Sequence, residues 1–198
     1  MNYQEIKDYA EKYAVPIMRP ETSKLISEFV KETSPRNILE IGTAIGYSGT
    51  LMLNSCNAKL ITIEHNKEYI KKANKIFKDN NLKNRVRVID GDCLVVLANL
   101  ANNKKYLDFF DLIFLDGPKA QYDKMLDLLI LMLKPNGTLI VDDVLFHQNL
   151  NTEGKVSRRF KTITNRLEKF IENCKNHKNI SSFELKTIED GIIFAKKG

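Results

Sequence analysis

Apolar positions recur along this chain at two spacings, and the alternation between them predicts the architecture. Ile6, Tyr9, Ala10 and Tyr13 recur at helical spacing and predict a first amphipathic helix. Val15-Pro16-Ile17-Met18-Arg19-Pro20 breaks it, because two prolines reject helix. Pro20 then suits the first position of a second helix, with Leu25, Ile26, Phe29 and Val30 inward and Pro35 closing it. Residues 38–41, apolar but for Glu40, read as a buried strand; Gly42 and Gly46 bracket a tight turn, and 47–53 reads as a helix. Strands over 59–63, 85–89, 109–115 and 138–141 follow, separated by helices over 68–77, 93–101 and 122–133. The last of these helices stops at Lys134-Pro135-Asn136-Gly137. Beyond Asp143 the rhythm changes to a loop over 144–156 and a long helix over 157–174, with Phe160, Ile163, Leu167, Phe170, Ile171 and Cys174 on one face. Two strands, 182–187 and 192–195, close the chain.

Strands alternating with helices predict a parallel sheet covered on both faces, in a single domain over 1–198 without repeats or linker. The short join at Glu189-Asp190-Gly191 predicts an antiparallel pair at the sheet edge. Composition changes this picture little. A hydrophobic share of 43% and a charged share of 28% in 198 residues exclude disorder. Cys56, Cys93 and Cys174 form no C-x-x-C pair, so a disulfide framework and a zinc site are not indicated, and a reducing cytoplasm is expected. The charged N-terminus does not read as a signal peptide, and no apolar run reaches membrane-spanning length. A net charge of +6 suits a polyanionic partner, and equally a mildly basic enzyme.

The candidate chemistry lies at the strand ends. Ligands of open α/β sheets bind beyond the carboxyl ends of the strands. Glu64, Asp92, Asp116, Asp142 and Asp143 recur there. Any one of them alone reads as a turn carboxylate or helix cap, but five on one rim form a pattern. Glu64 can accept hydrogen bonds from ribose hydroxyls; Asp92 suits an adenine amino group and equally caps the helix from Cys93; Ser48 can donate to a carboxylate or cap its own helix. The spacing Gly42-x-x-x-Gly46, with Thr43 after the first glycine, departs from the G-x-G-x-x-G cradle of a pyrophosphate. It fits S-adenosylmethionine better than a dinucleotide. Asp116, Asp142 and Asp143 would repel one another unless a cation joins them. An all-oxygen set selects a hard ion: Mg²⁺ by default, or Mn²⁺ or Ca²⁺.

Three segments, residues 40–48 (Glu-Ile-Gly-Thr-Ala-Ile-Gly-Tyr-Ser), 116–122 (Asp-Gly-Pro-Lys-Ala-Gln-Tyr) and 142–146 (Asp-Asp-Val-Leu-Phe), resemble the Mg²⁺- and S-adenosylmethionine-dependent O-methyltransferases of the catechol and caffeoyl-CoA type. Within them, Val15 to Met18, the Gly46-Tyr47-Ser48 turn, Arg158-Arg159 and Asp190-Gly191 look most like bacterial tRNA 5-hydroxyuridine methyltransferases, which make 5-methoxyuridine at the wobble position, 34. The resemblance implies a class I, Rossmann-like α/β fold: a mostly parallel seven-stranded sheet, an antiparallel last strand and helices on both faces. It implies that the helices of 1–34 cap the cofactor and substrate side, and that the chain forms a homodimer. Met18, Glu40, Gly42, Ser48, Glu64, Gly91, Asp92 and Asp116 would bind the cofactor, and Asp116, Asp142 and Asp143 the metal. Lys119 matches the family's base, with Asp116 beside it in catalysis. Asp143 stands where the family usually has Asn, and the N-terminus is shorter than in many relatives.

A cation that chelates two vicinal oxygens lowers the pKa of the acceptor hydroxyl and fixes its direction. A catechol offers such a pair, and so does 5-hydroxyuracil through its hydroxyl and O4, so the metal ligands suit either acceptor. Arg158, Arg159 and Lys161, with Arg166 and Lys169, lie on the polar side of the long helix and form a candidate tRNA face, or a solvated one. His147 is a loop histidine within reach of a substrate. The leading expectation is a tRNA wobble-uridine O-methyltransferase; the others are a small-molecule catechol-like O-methyltransferase and a non-catalytic binding module.

Overall fold

A computed structural model describes residues 3–145 and 158–198, except the side chains of 158–161. The predicted elements are present in the predicted order. They form a seven-stranded sheet with strand order β3-β2-β1-β4-β5-β7-β6 and helices in the connections. The chain divides into two compact units, Met1–Val96 and Leu97–Gly198.

In the first unit, helix α1 (Tyr3–Lys12) buries Ile6 and Ala10 one turn apart. Tyr3 ties it to α3 (Tyr47–Ser55) by donating to the Thr50 carbonyl at 3.1 Å. Helix α2 (Pro20–Thr33) starts with Pro at its N-terminus, as expected. It ends on Ser34, which adopts φ 46° and returns its N–H to the Val30 carbonyl, so the stop precedes Pro35. Its inward face is not purely apolar: Thr22 and Ser23 are buried, whereas Leu25 and Phe29 are half-buried. Strands β1 (Asn37–Ile41), β2 (Lys59–Glu64) and β3 (Val86–Asp90) pair in parallel. Their register sets Ile41 beside Ile63 and Glu64 beside Asp90, so the carboxyl ends form one row. Helix α4 (Lys67–Asp79) is capped by Asn66 and packs through Ala73, Ile76 and Phe77.

Helix α5 (Cys93–Ala101) leads into the second unit. There β4 (Phe110–Leu115) pairs in parallel with β5 (Leu133–Asp142). The sequence predicts a stop over 134–137 and a strand from 138, but the strand starts at Leu133. Phe110 pairs with Leu133 and Leu112 already with Thr138, so 134–137 bulge out of the ladder, with Asn136 at φ 65°. Strand β7 (Ile192–Lys197) lies antiparallel between β5 and β6 (Ile180–Lys186). Helix α6 (Tyr122–Met132) buries six side chains, among them Tyr122, Met125 and Leu129. Helix α7 (Arg158–Lys175) buries Leu167, Phe170 and Cys174. Full burial of Phe114 or Ile113 contributes roughly 1.5–3 kcal/mol each, which makes β4 a rigid platform for the acidic turn beyond Leu115. Among the described residues no helix is long and apolar enough to cross a membrane.

Candidate functional site

The first unit builds its rim from glycine turns and carboxylates. Beyond β1 the N–H groups of Gly42 and Thr43 both donate to the Ile63 carbonyl, at 3.1 and 3.2 Å. Gly42 and Gly46 adopt φ 99° and 85°. A Cβ on Gly46 would lie 3.0 Å from Phe77 Cζ, so glycine serves both the turn and the close start of α3 against α4.

Glu40 has no exposed surface. Its Oε1 accepts from Ser48 Oγ at 2.5 Å and its Oε2 from Thr62 Oγ1 at 2.6 Å; Thr62 in turn contacts Thr43 Oγ1 at 2.5 Å. These hydrogen bonds satisfy both oxygens of a side chain that has no exposed surface. Glu40 therefore braces the turn from beneath, and Ser48 is engaged by it. Glu64 accepts three backbone N–H groups: Ala44 on Oε2, and His65 and Asn66 on Oε1, each at 2.9 Å. The Glu64 carbonyl takes the Gly91 N–H at 3.0 Å. The expected ribose carboxylate is thus also the clamp that holds the rim turns together, and Oε2 keeps acceptor capacity. Asp92 Oδ1 caps α5 through the N–H groups of Leu94 and Val95, at 3.0 and 3.2 Å. Met18 is buried, and its carbonyl accepts from Ser23 Oγ at 3.3 Å; that hydroxyl lies 3.4 Å from Tyr47 Oη.

The second unit gathers the other acids. Leu115 pairs with Val141, so Asp116 and Asp142 leave neighbouring strands side by side. Asp143 turns away at φ 61°, a left-handed conformation that Asn and Asp tolerate better than other non-glycine residues. The next two residues are pinned to the β6–β7 turn: Val144 donates to the Gly191 carbonyl at 3.1 Å and Leu145 to that of Asp190 at 2.7 Å. The three aspartates feel one another. Burial first, then Asp116, push Asp142 up to about 7, against the Asp143 N–H that it accepts at 2.9 Å. Burial raises Asp116 as well; the Lys119 ammonium draws it down and Asp143 draws it up. Lys119 Nζ pairs with Asp143 Oδ2 at 2.5 Å. Asp143 Oδ1 and Tyr122 Oη are buried without a hydrogen-bond partner, each a cost of roughly 1–3 kcal/mol.

Among the described residues no group of three or more acidic, His or Cys side chains is placed to hold a metal ion. The donor chemistry nevertheless fits a hard divalent cation. The three carboxylates are mutually repelling, one of their oxygens is buried and orphaned, and an ammonium stands as the counter-charge. The side chains of Arg158, Arg159 and Lys161 lie outside the described residues, as do Phe146 and His147. Arg166 and Lys169 are exposed on α7, and Lys169 lies 3.6 Å from Asp123. Sequence reasoning missed Thr43 and Thr62. The signal for Thr62 is a polar residue in the middle of an apolar strand, in register with Glu40.

Comparison with known proteins bears on the fold and the family. A catechol O-methyltransferase of Niastella koreensis is 30% identical over 139 residues, which is 69% of this chain and 59% of that protein. Bovine catechol O-methyltransferase is 29% identical over 62% of this chain and 46% of its own length. The chain spans about half the length of the curated relatives it matches. A candidate caffeoyl-CoA O-methyltransferase of Staphylococcus aureus superposes with a TM-score of 0.87 at 29% identity, covering 100% of this chain and 93% of that one. A Bacillus cereus O-methyltransferase solved with S-adenosylhomocysteine shares the fold, with a TM-score of 0.82 at 22% identity over 99% and 90% of the two chains. The profile of the family described as O-methyltransferase matches residues 3–198, and the chain belongs to that family.

Proposed function

We propose that this chain transfers a methyl group from S-adenosylmethionine to a hydroxyl that has a second oxygen beside it, with Mg²⁺ held by Asp116, Asp142 and Asp143. One observation carries the reading. Three coupled carboxylates crowd the ends of β4 and β5, with one buried oxygen unpartnered and a lysine already neutralising one of them. When bound, S-adenosylmethionine supplies an electrophilic methyl that leaves its sulfur for the acceptor oxygen, and the divalent cation supplies Lewis acidity that lowers the pKa of the acceptor hydroxyl.

The chain's own residues do the rest. The glycine turn over Gly42–Gly46, braced by Glu40 and Ser48, and the clamped Glu64 hold the nucleoside through its ribose hydroxyls. Met18, Gly91 and Asp92 complete that binding surface, with Asp92 toward the adenine amino group. Lys119, once its ammonium proton has passed to solvent, takes the proton of the acceptor hydroxyl at Nζ. The acceptor we assign is 5-hydroxyuridine at the wobble position of tRNA. The net charge of +6 and the basic start of α7 support it. A catechol is the second reading, favoured by the names of the relatives at 29–30% identity.

Labelled S-adenosylmethionine, Mg²⁺ and the chain, incubated in parallel with tRNA carrying 5-hydroxyuridine and with a catechol, separate the two. Label in the tRNA is expected. Label in the catechol alone rejects the tRNA acceptor, and Asp116→Ala with undiminished turnover rejects the metal mechanism.

A further inference from the structure

Thr62 sits in the middle of β2 with no exposed surface, in register with Glu40 on β1. Valine has nearly the same shape and suits a buried strand equally well. The chain instead buries a hydroxyl there, and that hydroxyl is engaged on both sides. Thr62 Oγ1 donates to Glu40 Oε2 at 2.6 Å and lies 2.5 Å from Thr43 Oγ1. A hydroxyl has one proton, and that of Thr62 goes to Glu40, so Thr43 is the donor in the second contact. Ser48 Oγ donates to the other oxygen of Glu40 at 2.5 Å. One buried carboxylate thereby holds the glycine turn at two places: directly through Ser48 on α3, and through Thr62 to Thr43 inside the turn. Thr43 is also a fixed point of the turn's backbone, since its N–H donates to the Ile63 carbonyl at 3.2 Å and its carbonyl accepts from the Gly46 N–H at 2.8 Å.

We propose that Thr62 is a positioning residue for S-adenosylmethionine: it relays the Glu40 carboxylate to Thr43 and so sets the turn over 42–46 in the form that receives the cofactor. Buried hydrogen bonds linked in this way act as a unit, and removing the middle member breaks both contacts at once. The inference rests on that turn being the cofactor site, as proposed above, and is independent of the acceptor and of any cation.

S-adenosylhomocysteine titrated onto the full chain in a calorimeter reads cofactor affinity without turnover, and urea denaturation of the same samples reads stability. Thr62→Val keeps the volume and deletes the relay; Thr62→Ser keeps the hydroxyl and deletes a methyl. T62V is expected to bind S-adenosylhomocysteine about tenfold more weakly, and T62S within about threefold of wild type. Lower urea stability in T62V with unchanged affinity assigns Thr62 to the fold alone and overturns the proposal, while leaving the cofactor site where it is. Equal weakening in T62V and T62S also overturns it, because lost methyl packing would then be the cause. Thr43→Val opens the same relay from its outer end and carries the test if T62V does not fold: it is expected to weaken binding to the same degree, and wild-type affinity in T43V overturns the proposal. The double variant T43V/T62V is expected to bind as T62V does, since either cut opens one relay; additive losses overturn it. A wild-type chain that binds no S-adenosylhomocysteine removes the cofactor reading of the turn and this inference together.

Discussion

Asp142 keeps its proton to about pH 7, because burial and the neighbouring Asp116 both penalise its charge. An unfolded Asp titrates near 3.9. Between those values the folded chain binds more protons than the unfolded one, so stability falls as pH rises through the window, by on the order of a few kcal/mol from this group. On the proposed reading a bound cation would take the proton's place. In chelator, the urea midpoint is expected to drop from about pH 5 to about pH 8, and Mg²⁺ is expected to flatten the drop at its alkaline end. Asp142→Asn is expected to remove this group's share of the slope; an unaltered slope in that variant counts against the raised pKa. At this scale the positions of the acids are legible in the sequence, and what steadies them is not. Asp116 and Asp142 stood out as charges that end apolar runs. Thr62 did not, because one threonine in a strand is ordinary until its register sets it opposite Glu40.

Among the elements, the β6–β7 turn holds the segment after Asp143. Gly191 adopts φ 78°, and a Cβ there would overlap Leu145, with its Cβ and Cδ1 both at 2.7 Å. Gly191→Ala is therefore expected to lower stability by about 1–3 kcal/mol in urea denaturation. Leu145→Ala in the same chain is expected to recover part of the loss, and no recovery would mean that backbone strain at residue 191 dominates. That turn was legible as a short antiparallel join, but its grip on Leu145 was not, because hydrogen bonds between a loop and a distant turn leave no periodic trace. The central strands were legible, since strands buried on both faces read as continuous apolar runs. Strand β5 was misjudged at its start. Lys134-Pro135-Asn136-Gly137 carries every mark of a stop, and only pairing with β4 shows that the ladder resumes on both sides of it. Helix α2 buries Ile26 and Val30 as its spacing predicts, but Thr22 and Ser23, polar by type, are buried by position as well.

Over the whole molecule, 31 basic side chains against 25 acidic ones give a surface that favours polyanions without naming one. Lys67, Lys71 and Lys78 are exposed on α4, and Arg166 and Lys169 on α7. Charge of this kind makes nucleic-acid affinity fall steeply with salt, by tenfold or more between about 50 and 200 mM when several phosphates are contacted. With tRNA as acceptor, KM is expected to rise steeply over that range while KM for S-adenosylmethionine changes little. A flat response would speak for a small acceptor. The pair between Lys119 and Asp143 has a further consequence. On the proposed reading Asp143 serves the base and the cation at once, so no substitution there would alter one without disturbing the other.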